Sequence, residues 1–134
     1  MSKHDRRVSR FMSPRPLTVG ADQPLSVAHA LMREHKIHHL PVLAEGHIAG
    51  LVSMEDLHLV ETLADTHAED TTVEEAMERE FYAADAATPI EEVAREMADR
   101  GLGAALITDD GQVSGIFTTE DALRAIVSLA GHLQ

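Results

Sequence analysis

The sequence predicts an α/β (α+β) fold made of two β-α-β-β-α repeats, which are related by pseudo-two-fold symmetry and contain small sheets packed with helices. Three observations predict this fold. The chain matches itself at a constant offset, both copies show a helical spacing of apolar residues, and both carry a hairpin signal. The 134 residues, 44% of them apolar, are enough for a buried core.

The repeat is found by comparing the sequence with itself at an offset of 65 positions, where the two copies align without a gap. The identical pairs include Met12/Met77, Ala21/Ala86, Pro24/Pro89, Met32/Met97, Gly46/Gly111, Gly50/Gly115, Glu55/Glu120 and Asp56/Asp121. We expect an N-terminal tail at residues 1–9, a first repeat at 10–65, a linker at 66–72 and a second repeat at 73–134. Residues 1–8 are expected to be disordered in solvent.

Each repeat is expected to begin with a short strand, at residues 17–19 in the first copy. Pro24 then marks the start of a helix, because apolar residues recur every three or four positions after it. In the second copy, Thr88 precedes the equivalent Pro89, and we expect the Thr88 hydroxyl to cap a helix that runs to about Arg100.

Two hairpins and three further helices complete the predicted elements. The turns are expected at residues 44–46 and 109–111, where a glycine follows polar residues between apolar runs. The last helix of each repeat is expected from about Met54 to Ala64 and from about Thr119 to Leu129. Thr72 is expected to cap a short helix that leads into the second copy.

Composition and charge exclude several classes of function. The net charge is -12, and positions 42–134 contain twenty acidic residues but only four lysines and arginines. Aromatic residues make up only 3% of the chain, so a nucleic-acid-binding surface is not expected. No apolar run approaches the roughly 20 residues of a membrane span, which predicts a cytoplasmic protein with no membrane partner.

The pairs Ser53/Asp56 and Thr118/Asp121 each stand where a strand ends and a helix begins. A hydroxyl and a carboxylate at this spacing are typical of a capping box, which is a purely structural role. Free amides at a helix start also favour an anion, and a nearby carboxylate can accept hydrogen bonds from the vicinal hydroxyls of a ribose. The glycines three residues earlier permit close approach of a backbone or a ligand.

The repeat resembles a tandem pair of cystathionine-beta-synthase (CBS) domains over about residues 10–130. The likeness is carried by "FMSPRPLTV", "PLSVAHALMREHKIHHLPVL" and "GHIAGLVSMEDL", and more loosely by "AMEREFYAA", "PIEEVAREMADRGLGAALIT" and "GQVSGIFTTEDAL". The resemblance implies a regulatory module that binds AMP, ADP, ATP or S-adenosylmethionine in clefts between the two repeats. It also implies a homodimer that signals to a separate, unknown effector protein and has no catalytic cofactor.

The resemblance also assigns candidate ligand-binding residues. Ser53 and Thr118 match the phosphate position, and Asp56 and Asp121 match the ribose position. The other candidates are Thr18 and Val19 for the adenine edge, and Ile37, His39, Leu40 and Pro41 near the base, with Ile37 and Leu40 also interpretable as core. Arg124 could reach a phosphate or simply face solvent. Ala83 replaces Thr18 and Leu106 replaces Pro41 in the second copy, which predicts a weaker or vacant second site.

Three alternative functions are considered. A scaffold with empty clefts would act only through its dimer surface. A metal site is suggested by His35, His38, His39 and His47, although Pro41 disfavours the helix that their spacing would need. An enzyme is not expected, because the chain has no cysteine, no G-x-S-x-G elbow and no P-loop lysine.

Overall fold

The computed structural model describes residues 5–64 and 70–131, which form two compact units. The first-repeat unit contains residues 17–64 and 70–81, and the second-repeat unit contains residues 5–16 and 82–131. The predicted linker at 66–72 lies partly outside the described residues. The units therefore differ from the sequence repeats, because residues 5–16 fold with the second copy and residues 70–81 fold with the first.

The elements confirm the predicted mixed α/β fold. The strands are β1 (Ser13–Pro14), β2 (Val19–Gly20), β3 (His39–Ala44), β4 (His47–Ser53), β5 (Ala83–Asp85), β6 (Ala104–Asp109) and β7 (Gln112–Thr118). The helices are α1 (Leu25–His35), α2 (Met54–Ala64), α3 (Val73–Ala76), α4 (Ile90–Arg100) and α5 (Thr119–Ala130), and a 3₁₀ turn spans Val8–Arg10. None of the helices in the described part of the chain is long and apolar enough to cross a bilayer.

The first-repeat unit is built on a three-stranded sheet in the order β2-β3-β4. Strand β2 is parallel to β3, and β3 is antiparallel to β4. Alternate residues point to opposite faces of a strand, so Leu40 and Val42 enter the core while His39 and Pro41 share the other face. Leu40 is fully buried, which confirms its interpretation as a core residue.

The second-repeat unit has a four-stranded sheet in the order β1-β7-β6-β5. Strands β5 and β6 are parallel and β6 and β7 are antiparallel, as in the equivalent strands of the first repeat. The additional strand, β1, comes from the N-terminal segment and pairs with β7, so that Ser13 lies opposite Ile116. A second core forms here around Phe117, Ile107 and Val93.

The N-terminal segment is ordered where the structure describes it, so the expectation of disorder over residues 1–8 is wrong for residues 5–8. Val8 is 0% exposed and belongs to the second core. The Val8 amide donates to the Thr88 carbonyl at 2.8 Å, and the Ile90 amide donates to the Arg6 carbonyl at 2.7 Å. Val8 is the repeat equivalent of the buried Val73 of α3, and this match explains why an apolar residue stands in a polar stretch.

The helix and turn signals are confirmed with one exception. Glu45 and Gly46 both have positive φ, as do Asp110 and Gly111, so both hairpins have the predicted tight turns. Thr72 and Glu75 form the predicted capping box of α3. The prediction that Thr88 caps α4 is wrong, because α4 begins one residue later than expected, with Pro89 as the N-cap residue and no side-chain cap.

Candidate functional site

Ser53 and Asp56 form a reciprocal pair at the start of α2. The Ser53 amide donates to Asp56 Oδ2 at 2.9 Å, and the Asp56 amide donates to Ser53 Oγ at 3.1 Å. The pair is therefore a capping box, and such a box contributes about 1 kcal/mol to the stability of a helix. The structural role suggested by the sequence is real at this position.

Capping does not use all of the polar capacity of this pair. Asp56 is only half-buried, and within residues 5–64 and 70–131 no group donates to its second oxygen, Oδ1. The Ser53 hydroxyl accepts a hydrogen bond from Asp56 but donates none to a described residue. One carboxylate oxygen and one hydroxyl proton thus remain available to another molecule.

His39 lies beside this pair, because it is the antiparallel partner of Ser53 in the β3–β4 ladder. Directly opposite residues share a face of the sheet at about 5 Å between Cβ atoms. Burial lowers the pKa of the His39 imidazole, and His38 adds to this effect, whereas the carboxylates of Asp56 and Glu55 oppose it. His39 is therefore neutral near pH 7 and presents one donor and one acceptor.

The other first-repeat candidates occupy the neighbouring strands with different exposure. Thr18 is exposed just before β2, and Val19 is buried with its side chain in the core, so only its backbone could contact a ligand. Pro41 is buried opposite Leu51, and Ile37 packs against the core as well. We call Thr18, Val19, Ile37, His39, Pro41, Ser53 and Asp56 the first-repeat site.

Thr118 and Asp121 form the same capping box at the start of α5, but here both oxygens of the carboxylate already accept hydrogen bonds. Asp121 is 3% exposed, and Oδ2 accepts from the Thr118 amide at 3.0 Å and from the Thr118 hydroxyl at 3.1 Å. Oδ1 accepts from Arg124 at 2.8 Å and from the Ser13 hydroxyl at 3.1 Å. We call Thr118, Asp121 and Arg124 the second-repeat site.

Two substitutions between the repeats account for this difference. At the offset of 65 positions, Ser13 corresponds to Glu78 and Arg124 corresponds to Leu59. A glutamate cannot donate to a carboxylate when both are ionised, and a leucine has no donor. Sequence reasoning missed the contact from Ser13, although the offset itself could have pointed to the position.

Gly50 and Gly115, which precede these helices, are required by close contacts with other residues of the chain. A Cβ added to Gly50 would lie 2.7 Å from the Glu78 carbonyl oxygen, which is closer than real Cβ atoms come. A Cβ added to Gly115 would collide with the Met12 side chain. The close approach that the glycines permit is thus made by Met77 and Glu78 at Gly50, and by Met12, the repeat equivalent of Met77, at Gly115.

The alternative metal site of His35, His38, His39 and His47 is not supported by the described residues. His38 is exposed and His39 is half-buried, and no group of three or more His, Asp or Glu residues in the described ranges is placed to hold a metal. A different pair was missed by sequence reasoning. His29 Nδ1 lies 3.3 Å from Glu61 Oε2, and the His29 and His58 rings are 5.6 Å apart. The spacing of His58 and Glu61 places them on one face of α2. Their contact with His29 of α1 depends on how the two helices pack, which the spacing does not predict.

The second-repeat unit also contains an open pocket of about 300 Å³. Its lining residues are Arg7, Ser9, Met12, Asp85, Ala86, Ala87, Asp109 and Ser114. They belong to the N-terminal segment, to the end of β5 and to the β6–β7 hairpin, whereas Thr118 lies at the other end of β7. The pocket contains no residue of the second-repeat site.

Comparison with known proteins identifies the family. The CBS domain model matches residues 8–60 and 73–128, which is more than half of the chain. The chain belongs to the CBS domain family. This CBS pair is 27% identical to the CBS domain pair of protein MJ0100, solved with 5′-methylthioadenosine and S-adenosyl-L-methionine, at a TM-score of 0.82 over 91% of this chain and 96% of that one.

Two further relatives of this CBS pair differ in how much of their length it matches. CBSX2, solved in complex with AMP, is 25% identical at a TM-score of 0.78, over 92% of this chain and 98% of that one. L-Aspartate semialdehyde sulfurtransferase of Methanocaldococcus jannaschii is 29% identical over 119 residues, which is 87% of this chain. The CBS pair spans only 22% of the length of that enzyme.

Proposed function

We propose that this CBS pair is a non-catalytic regulatory module that binds an adenosyl ligand at the first-repeat site and signals to a separate effector protein. The observation that carries the proposal is the half-buried Asp56 carboxylate, whose Oδ1 has no donor within the described residues. The complexes of MJ0100 and CBSX2 with adenosyl ligands support it. AMP, ADP, ATP and S-adenosylmethionine are the ligands to be distinguished.

The first-repeat site offers complementary groups for a nucleoside. Asp56 Oδ1 can accept from ribose hydroxyls, and the Ser53 hydroxyl can donate to an oxygen of the ligand. Hydrogen bonds to a charged group contribute roughly 1.5–3 kcal/mol each. His39 presents a neutral imidazole on the same face, where it can contact the base or the sugar without adding charge.

The second-repeat site is expected to bind more weakly or not at all. Asp121 can accept from a ligand only if it gives up Ser13 or Arg124, because both of its oxygens are already used. Ala83 and Leu106 also replace the threonine and proline of the first site. The assignment of Thr118, Asp121 and Arg124 to a ligand stays a prediction, and Asp121→Ala tests it.

The proposal is tested by isothermal titration of the whole chain with 5′-methylthioadenosine, S-adenosylmethionine, AMP and ATP. We expect at least one of them to bind, and Asp56→Ala to weaken that binding at least about tenfold, since one charged acceptor is lost. A bound ligand at about 100 times its Kd should also raise the free energy of unfolding by about 2.7 kcal/mol.

Asp99→Ala is the matched control for this titration, because Asp99 is exposed on α4 and belongs to neither site. It removes the same charge and should leave the affinity unchanged. Absence of binding by all four ligands contradicts the proposal. An Asp56→Ala protein with wild-type affinity contradicts the assignment of the site.

A scaffold function is favoured by one observation, an exposed apolar stripe on α5. Leu123, Ile126 and Val127 are 58%, 62% and 73% exposed and follow the spacing of one helical face. We propose that a second copy of the chain covers this stripe, which gives a homodimer. Ile126→Glu should then produce a monomer in sedimentation experiments, whereas a wild-type chain that is already monomeric contradicts the dimer.

A further inference from the structure

We infer that the first-repeat site takes an adenosyl ligand whose 5′ group is uncharged or cationic, such as a thioether or a sulfonium, and discriminates against nucleotides. The inference rests on the proposed function, because it concerns the ligand of the same site. It follows from how the start of α2 uses its amides and from which charges surround Asp56.

The start of α2 has little capacity left for a phosphate. A helix start binds anions through amides that have no partner inside the helix. Here the Met54 amide donates to the His38 carbonyl at 2.9 Å, and the Asp56 amide donates to Ser53 Oγ at 3.1 Å. At most one of the first three amides of α2 can therefore face a ligand.

The acidic side chains near this helix start also oppose a phosphate. Glu55 and Asp56 both lie in the first turn of α2. The exposed Glu78 lies on the neighbouring segment, where its backbone exchanges hydrogen bonds of 3.0 and 2.8 Å with Leu51, two residues before Ser53. Like charges at such a site repel a nucleotide and attract a sulfonium.

In the described part of the chain, the lysines and arginines of the first-repeat unit do not offset this charge at Ser53 and Asp56. The first-repeat unit contains Arg33, Lys36 and Arg79 as its lysines and arginines. Within the described ranges none of them forms an ion pair or hydrogen bond with Ser53 or Asp56, and Arg79 pairs with Glu74 instead. In the second repeat Arg124 neutralises the equivalent carboxylate, but Leu59 stands at that position here.

Comparison of 5′-methylthioadenosine with AMP tests the inference, because the two share adenosine and differ in the charge of the 5′ group. We expect 5′-methylthioadenosine and S-adenosylmethionine to bind at least about tenfold more tightly than AMP in low salt, with ATP weakest. The difference should narrow at about 1 M salt, where the Debye length falls to about 3 Å.

Glu55→Gln removes one of the repelling charges without touching the capping bonds of Asp56. It should raise the affinity for AMP several-fold and leave that for 5′-methylthioadenosine unchanged. Glu120→Gln is the matched control, because Glu120 is the repeat equivalent of Glu55, and it should change neither affinity.

The possible outcomes separate the inference from the proposal on which it rests. If AMP or ATP binds as tightly as 5′-methylthioadenosine, or if Glu55→Gln leaves the affinity for AMP unchanged, the preference for an uncharged or cationic 5′ group is refuted and the sensing function stands. If no adenosyl ligand binds, the sensing function itself is refuted.

Discussion

The helices α2 and α5 begin with the same motif but expose it differently. Asp56 keeps one carboxylate oxygen without a donor in the described chain, whereas Asp121 is buried and accepts from Ser13 and Arg124 as well as from its own cap. The capping bonds themselves are nearly identical. A local motif therefore sets the helix start, and residues outside the motif decide whether its carboxylate remains open.

The largest expected effect is on stability, and it separates the two carboxylates. Asp121→Ala should lower the free energy of unfolding by about 3 kcal/mol. It removes the helix cap, and the groups that donate to the buried Asp121 carboxylate lose their acceptor. Asp56→Ala should cost only about 1 kcal/mol, the value of the cap alone. Urea denaturation of both variants measures this difference. Equal losses of stability contradict the different environments of Asp56 and Asp121.

The next largest effect is on ligand affinity. It is expected from two substitutions that give the first-repeat site the hydrogen-bond donors of the second-repeat site. Leu59→Arg with Glu78→Ser introduces into the first repeat the two donors that close Asp121. We expect the added guanidinium and hydroxyl to donate to Asp56 Oδ1 and the affinity for 5′-methylthioadenosine, whose 5′ group is uncharged, to fall about tenfold. The control is Leu59→Met with Glu78→Ala, which changes the same positions without supplying a hydrogen-bond donor. An unchanged affinity in the first variant means that these positions do not control access to Asp56.

A smaller effect is expected at Ser13. Ser13→Ala removes one donor to Asp121 and should lower the free energy of unfolding by about 1 kcal/mol, as for a single hydrogen bond. Ser9→Ala serves as the comparison, since Ser9 lies in the same segment and the described chain shows no side-chain hydrogen bond for it. Thermal unfolding of both variants measures the difference in stability. Equal stability of the two variants contradicts a stabilising hydrogen bond from Ser13 to Asp121.

The smallest effect is a pH dependence that only the first repeat should show. The folded-state pKa of His39 lies below its ordinary value of 6.5, so the unfolded chain binds the proton more readily. Stability from this residue is complete above pH 6.5 and is lost as the pH falls through the lower, folded-state pKa.

His39→Gln should therefore be less sensitive than the wild type between about pH 7 and about pH 5 in urea denaturation. The second repeat carries Ala104 at the equivalent position and contributes no such dependence. Parallel stability curves for the two proteins over this range contradict the effect.

Local patterns were enough to predict the hairpin turns and the last helix of each copy. These features depend on residues within a few positions of one another, as in the capping pair Ser53/Asp56 and the turn at Gly46. The closure of Asp121 could not be predicted in the same way, because Ser13 is 108 residues away along the chain. The burial of Val8 depends on a sheet that forms from the other end of the sequence.

The position of β1 has a consequence for how the protein is made. Ser13 and Pro14 leave the ribosome long before β7, the strand with which they pair, has been synthesised. Contacts this distant close slowly, because the intervening chain must first be brought together. The first-repeat unit comes from one continuous stretch of chain and can fold during translation, whereas the second-repeat unit can be completed only after β7 has been synthesised.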